Sequence, residues 1–271
     1  MKMICIIVCA LGLVLGCSLE DQAKTGSFVS DIIKKVRAKR ISRSSTDIEG
    51  TSGNAPQNTS DTKTSKEQIY DKLKNELEQY SKAFRTAQFR FRRGRYYFQM
   101  PFFEKFPKFS GWEEKDIVYD TLGYDVDLIA KLETIVRAIT PATAPTYFPT
   151  RPATIVAKLL DILYNTTYYM REVVVDHLND VSLEQLGSIK SAEELTKIYN
   201  AFKELSALRT NAMSQIKIAI DESEPLWRDR VIMTNKLKKI TDDESLVQDL
   251  KLKIIMKGLE IKYYAQLSKG A

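Results

Sequence analysis

The sequence predicts an all-α protein, a single compact bundle of about six or seven helices behind a flexible N-terminal tether. Three observations predict it. From Ser65 onward, apolar residues recur at spacings of three and four in one segment after another. No stretch alternates with period two for long, so strand signals are nearly absent. Ser or Thr followed three residues later by Glu or Gln, the signature of a helix start, occurs where the stripes begin.

The chain opens with Lys2, an apolar run from Met3 to Leu15, and then Gly16-Cys17. The run is shorter than the ~20 apolar residues a bilayer span needs and has the length of a signal-peptide core. Apolar, apolar, small, cysteine resembles a bacterial lipobox, with cleavage after residue 16 and lipid attached to Cys17. An ordinary secretory signal and an uncut N-terminal anchor are the alternatives. Cleavage removes Cys5 and Cys9 and leaves Cys17 as the one cysteine of the mature chain. No disulfide can then form within it, and stability falls to the core.

Residues 17–64 form the predicted tether. The stretch 42–65 is rich in Ser, Thr, Gly, Asn and Asp and has almost nothing to bury. Phe28, Ile32, Ile33 and Val36 fall near helical spacing beside Lys34, Lys35 and Arg37. That segment is either a disordered basic linker or an amphipathic helix on an anionic membrane surface. Residues 18–99 carry 17 Lys+Arg against 10 Asp+Glu, whereas residues 100–271 carry 23 against 25. The basicity therefore belongs to the N-terminal third.

The helical domain is predicted over 65–271. Ser65 with Gln68 resembles a capping box, and Ile69, Leu73, Leu77, Tyr80, Phe84, Ala87 and Phe91 make one stripe ending near Gly94. The aromatic-rich stretch 95–112, with Pro101 and Pro107, reads as an ordered loop. A short helix is predicted over 113–122, stopping at Gly123. Asp125 caps the next, whose stripe runs from Leu128 to Ile139. Residues 140–152 hold four prolines and form a rigid connection. Thr150 and Pro152 open a long helix with a stripe from Ile155 to Leu178. Ser191 and Glu194 make a second capping box, before a helix striped from Leu195 to Ile220. Pro225 breaks that run, and a helix over about 225–240 follows. Thr241 with Glu244 marks the start of the last helix, striped from Leu246 to Leu267. That stripe either seals the core or pairs with a second copy, so monomer and homodimer both remain open.

Chemistry is sparse. His177 is the only histidine, placed on a helix beside Asp176 and Asn179. No Gly-x-Ser-x-Gly turn or Gly-rich phosphate loop occurs. Acid pairs such as Glu113-Glu114 and Glu193-Glu194 sit at helix starts, where they complement the dipole. The expectation is a protein without catalytic residues, metal or cofactor. The one anomaly is 84–103, where Arg85, Arg90, Arg92, Arg93 and Arg95 alternate with aromatics. Three readings fit: core rings beside a solvated arginine face, a patch for a protein partner, or a polyanion site. A lipoprotein outside the cytoplasm rarely meets nucleic acid, so no nucleic-acid partner is expected.

Val118-Tyr119-Asp120-Thr121-Leu122-Gly123-Tyr124-Asp125, followed by Ile129-Ala130-Lys131-Leu132-Glu133-Thr134-Ile135, resembles a known family. It is the paralogous outer-surface lipoproteins of Lyme disease spirochaetes (Borrelia) that include the complement regulator-acquiring surface protein CspA. The resemblance extends more loosely to the C-terminus, and the tether and lipobox agree with it. It implies an α-helical bundle held by lipid on the outer membrane and exposed at the cell surface. It also implies partners among host complement proteins, either terminal components (C7, C8 or C9) or factor H, with terminal components preferred. The other expectation is an adhesin for host glycosaminoglycan, plasminogen or extracellular matrix, using the basic N-terminal third.

Overall fold

In the computed structural model, the described residues are 64–94, 98, 107–109, 111–140 and 151–266, all within the compact unit Asp61–Ala271. They form an all-α bundle. The seven helices that the periodicity predicts are all present: α1 Ser65–Arg93, α2 Trp112–Thr121, α3 Val126–Ile139, α4 Arg151–Glu172, α6 Ala192–Ser223, α7 Arg230–Thr241 and α8 Leu246–Gln266. An additional short helix, α5 Asp180–Ile189, lies between α4 and α6. The predicted signal segment, Cys17, the tether short of Thr64, and most of 95–112 and 140–152 lie outside the described residues.

Several helix ends differ from the sequence expectation by a residue or more. α1 is capped one residue early. Thr64 Oγ1 accepts from the Glu67 N–H at 3.3 Å, and Glu67 Oε2 accepts from the Thr64 N–H at 2.8 Å. Two overlapping Ser/Thr-x-x-Glu/Gln patterns compete here, and the carboxylate pair wins because a charged acceptor makes the stronger bond. The Thr241–Glu244 box does not form either. Thr241 is the last residue of α7, and its buried hydroxyl donates to the Leu237 carbonyl at 3.2 Å. Ser245 caps α8 instead, its Oγ accepting from the Gln248 N–H at 3.2 Å. The Ser191–Glu194 box and the Asp125 cap form as predicted. The run after Pro225 begins as a 3₁₀ turn, Glu224–Leu226, before Asp229 caps α7. The long helix predicted to reach Leu178 leaves α geometry at Glu172 and finishes as a π-helical turn, Val173–His177.

Gly123 ends α2 in a Schellman motif. The Tyr124 N–H donates to Tyr119 O at 2.9 Å and the Gly123 N–H to Asp120 O at 2.8 Å. Gly123 has φ +66° and Tyr124 +56°, so two successive residues sit in the left-handed region. A Cβ on Gly123 would meet nothing within 4 Å. Gly123→Ala is therefore expected to cost only the conformational penalty, ~1–2 kcal/mol by urea unfolding.

Buried side chains fall into two clusters. One joins α2 and α3 to the first half of α4, the end of α6 and α7 through Ile129, Leu132, Val136, Leu160, Ile216 and Leu237. The other joins α1 to the end of α4, the start of α6 and α8 through Leu73, Met170, Ile198, Phe202 and Ile254. α4 and α6 run through both. Where they pass from one cluster to the other, the interior is polar: Thr166 and Thr167 on α4 are fully buried, and Arg209 on α6 lies beside them.

Candidate interaction site

The polar layer is an ion-pair network. Arg171, at the end of α4, donates from Nε to Asp120 Oδ2 at 2.8 Å and from Nη1 to Asp116 Oδ2 at 3.0 Å. Its Nη2 donates to the Tyr124 hydroxyl at 2.9 Å. Arg209 reaches the same layer from α6, donating from Nη2 to Asp120 Oδ1 at 3.0 Å and from Nε to Thr167 Oγ1 at 3.1 Å. The Thr121 hydroxyl lies 2.6 Å from Leu163 O and 2.8 Å from Thr167 Oγ1, and Gln88 Nε2 donates to Asp116 at 2.8 Å. Burial works against the Arg171 charge, but Asp120, Tyr124 and Asp116 outweigh it and hold its pKa above the ordinary value. The 118–125 motif is thus structural. Asp120, Thr121 and Tyr124 satisfy the network, and Asp125 caps α3.

A surface cleft of about 890 Å³ opens beside this layer. α1 forms one wall, the π-helical turn and the start of α5 form the other, and α2 and α4 supply the floor. Its lining mixes apolar side chains, Leu77, Phe84, Ile117, Val174, Leu178 and Leu183, with nine charged ones, Glu113, Arg171 and Glu172 among them. Arg171 closes the floor with its guanidinium carbon 4.5 Å from the Phe84 ring centroid. The π-helical turn widens α4 by one residue, a distortion that recurs at functional sites. It projects Val175, 63% exposed, onto the lip of the cleft. Towards the start of α1 the two walls meet. A Cβ at Gly187 would lie 2.7 Å from the Tyr70 ring, so glycine permits that approach of α5.

Of the charged groups that line the cleft, Arg171 and Glu172 are held in ion pairs. Glu172 is held below its ordinary pKa by His177, whose Nε2 lies 3.6 Å from Oε1, and by Lys262 Nζ at 2.7 Å. His177 therefore belongs to the π-helical turn and faces a carboxylate, not to a regular helix. Tyr80 lines the cleft, and burial pushes its phenol up to about 12. Its hydroxyl oxygen is buried with no hydrogen-bond partner among the described residues. Among those residues no group of three or more His, Cys, Asp or Glu is placed to hold a metal ion.

The predicted arginine patch is split by helix geometry. Arg85, Arg90, Arg92 and Arg93 are all exposed on the last turns of α1, and Arg95 lies outside the described residues. At 3.6 residues per turn, Arg92 falls within about 20° of Arg85 on the helix surface, Arg93 about 80° round, and Arg90 about 140° round. Arg85 lines the cleft and Arg92 continues the same row. Arg92 Nη2 lies 3.9 Å from Asp116 Oδ1, and its guanidinium carbon lies 5.9 Å from the Trp112 ring centroid. Phe84 and Phe91 face the core, so the alternation of arginine with aromatic is largely core rings beside a solvated face. Phe89 is the exception. It is 64% exposed between Arg85 and Arg92, and Trp112 beside them is 62% exposed. Sequence reasoning passed over both. The signal for Phe89 was available, since it falls off the Phe84–Ala87–Phe91 stripe by half a turn. The exposure of Trp112, at the first position of α2, was not readable from spacing.

No known family profile matches the chain, and no curated protein matches it.

Proposed function

We propose that this is a surface lipoprotein, lipidated at Cys17, that binds host serum proteins and supports immune evasion. Terminal complement components are preferred over factor H as partners. The observation that carries a binding role is the exposure of two large aromatics, Phe89 and Trp112, on the arginine-bearing end of α1 and the start of α2, where Arg92 lies over the Trp112 ring. Arginine and large aromatics dominate the energetics of protein interfaces, and exposed large apolar side chains grouped beside charge mark an interaction site. The lipobox-like Gly16-Cys17 and the resemblance of 118–135 to spirochaete surface lipoproteins point the partner towards host serum. Incubation of the recombinant protein with serum is expected to capture a terminal component and reduce pore formation on target cells. Absence of both effects, together with absence of factor H capture, rejects the complement reading.

The adhesin reading uses the same arginines against an acidic glycan. It requires heparin retention that falls steeply with salt and vanishes when Arg85, Arg92 and Arg93 are replaced by alanine. The two apolar rings in the row favour a protein partner over a glycan.

A further inference from the structure

The outer face of α1 gathers cations around one ring. At 3.6 residues per turn, Lys82, Arg85, Phe89, Arg92 and Arg93 fall within about 100° of one another, with Phe89 near the middle. They lie on the side away from the core residues Leu73, Leu77, Phe84 and Phe91, and all five are exposed. The surface neighbours of a helical residue stand three and four positions away. For Phe89 these are Arg85, Thr86, Arg92 and Arg93. From Gln79 to Gly94 the helix carries no acidic residue, and Glu78, the nearest acid on that side, lies ~16 Å from Phe89 along the axis. Among the described residues, Lys82, Arg85 and Arg93 make no ion pair, and Arg92 makes one long one, 3.9 Å from Asp116.

Stability does not account for this face. Cations in the last turn complement the helix dipole, which covers Arg90, Arg92 and Arg93, but the effect fades within a turn and does not reach Lys82 or Arg85. Like charges spaced as Lys82 and Arg85 are repel and cost stability. Phe89, 64% exposed, adds little to the core. A ligand that is both anionic and apolar satisfies the cations and the ring together. The cations beside Phe89 are arginines, whose planar fork fits a carboxylate with two parallel bonds. A bilayer-binding helix presents an apolar stripe, whereas this face holds one ring in about three turns. A sulfated glycan offers that ring no apolar side chain. Spacing adds to the case for a protein segment. Arg85 to Phe89 and Phe89 to Arg93 are each ~6 Å along the axis, and alternate residues of an extended chain are ~6.6 Å apart. We propose that this face of α1 receives an acidic segment of a partner protein. An apolar side chain of the segment rests on Phe89, and a carboxylate on each side pairs with Arg85 and with Arg92 or Arg93. The inference rests on the binding role proposed above and names the chemistry of the partner segment.

The test titrates peptides of about nine residues into the full mature chain carrying Cys17→Ser, which bears no lipid, and follows amide NMR shifts along α1. The parent peptide holds Glu-Gly-Leu-Gly-Glu in a Gly/Ser background. One control replaces its leucine by glycine, and another replaces both glutamates by glutamine. The parent is expected to bind about tenfold more tightly than either control. F89A is expected to erase the difference between the leucine and glycine peptides. R93E is expected to weaken the parent about tenfold. R90E makes the same charge change in the same last turn but off this face, and is expected to cost less than about twofold. Circular dichroism checks that each variant keeps its helix content. Equal binding of the three peptides, no binding of any, or an R90E loss equal to that of R93E overturns the proposal. So does tighter, Arg93-dependent binding of a heparin oligosaccharide or of phosphatidylcholine/phosphatidylglycerol vesicles, which assigns the face to a glycan or a bilayer. Serum capture is read in parallel. Capture that survives both F89A and R93E overturns the assignment of this face and leaves the serum-binding role standing. Failure of capture by the unmodified protein rejects that role, while the peptide ranking still decides the chemistry of the face.

Discussion

Arg171→Ala is expected to destabilise the protein by ~3–5 kcal/mol, measured by urea unfolding. The reason is what the substitution leaves behind. Asp116 and Asp120 are each 5% exposed, and Arg171 is the cation that bonds to both. Without it Asp116 keeps Gln88, the Tyr124 hydroxyl and a 3.9 Å approach of Arg92, and Asp120 keeps Arg209. Two buried carboxylates then share one well-placed cation, and uncompensated buried charge is far more costly than a lost surface pair. Arg171→Lys separates charge from geometry. It retains the positive charge, but one ammonium cannot span both carboxylates and the Tyr124 hydroxyl, so a smaller loss of ~1–3 kcal/mol is expected. Equal losses for Ala and Lys would mean the fork geometry accounts for the whole effect. No loss for Ala would mean water enters and solvates the aspartates, and the layer is not dry.

Phe202→Ala is expected to cost a similar ~3–5 kcal/mol by a different route. Phe202 is 1% exposed, heads the largest fully buried side chains, and sits on α6 in the cluster that joins α1, α4 and α8. Truncation leaves a void in a cluster whose members, Leu73, Met170, Leu205 and Ile254 among them, are held on four separate helices and cannot all collapse towards it. Phe202→Leu, which refills part of the volume, is expected to recover about half of the loss. The contrast between the two sites is diagnostic. The rescues separate them, since Arg171→Lys keeps a charge and Phe202→Leu keeps volume, whereas added salt is expected to alter neither cost much, because a buried ion pair is screened far less than an exposed one. Urea titrations at two salt concentrations read both.

The helices were legible because their evidence is local. Leu128, Leu132, Ile135 and Ile139 announce α3 by spacing alone, and Asp125 announces its start by the chemistry of a free backbone N–H. Misplaced boundaries arose where local signals tied. Thr64 and Ser65 each stand three residues before a residue able to complete a box, and the choice went to the carboxylate. α5 went unseen because it is short and buries only Leu183 and Leu186, while its other apolar residues, Val181 and Ile189, are exposed and blur the stripe. The site was less legible. Arg85 and Arg92 were identified, and helical spacing alone separates Arg90 from them and takes Phe89 off the core stripe, but the approach of Arg92 to Asp116 and Trp112 follows only when α1 is set against α2.

The sequence by itself determined that the described domain is helical, where seven of its helices run to within a few residues, and that Gly16-Cys17 follows an apolar run of signal-peptide length. Each of these is fixed by neighbours in the chain. Only the tertiary structure decided that Asp116, Asp120, Arg171 and Arg209, spread across more than ninety positions, meet in one buried layer. It likewise decided that α1 stands apart from a π-helical turn to leave a cleft. An ion pair or a groove is made by side chains approaching through space, and the physical reason it escapes the sequence is that helix spacing fixes which face is apolar, not which face of another helix will meet it.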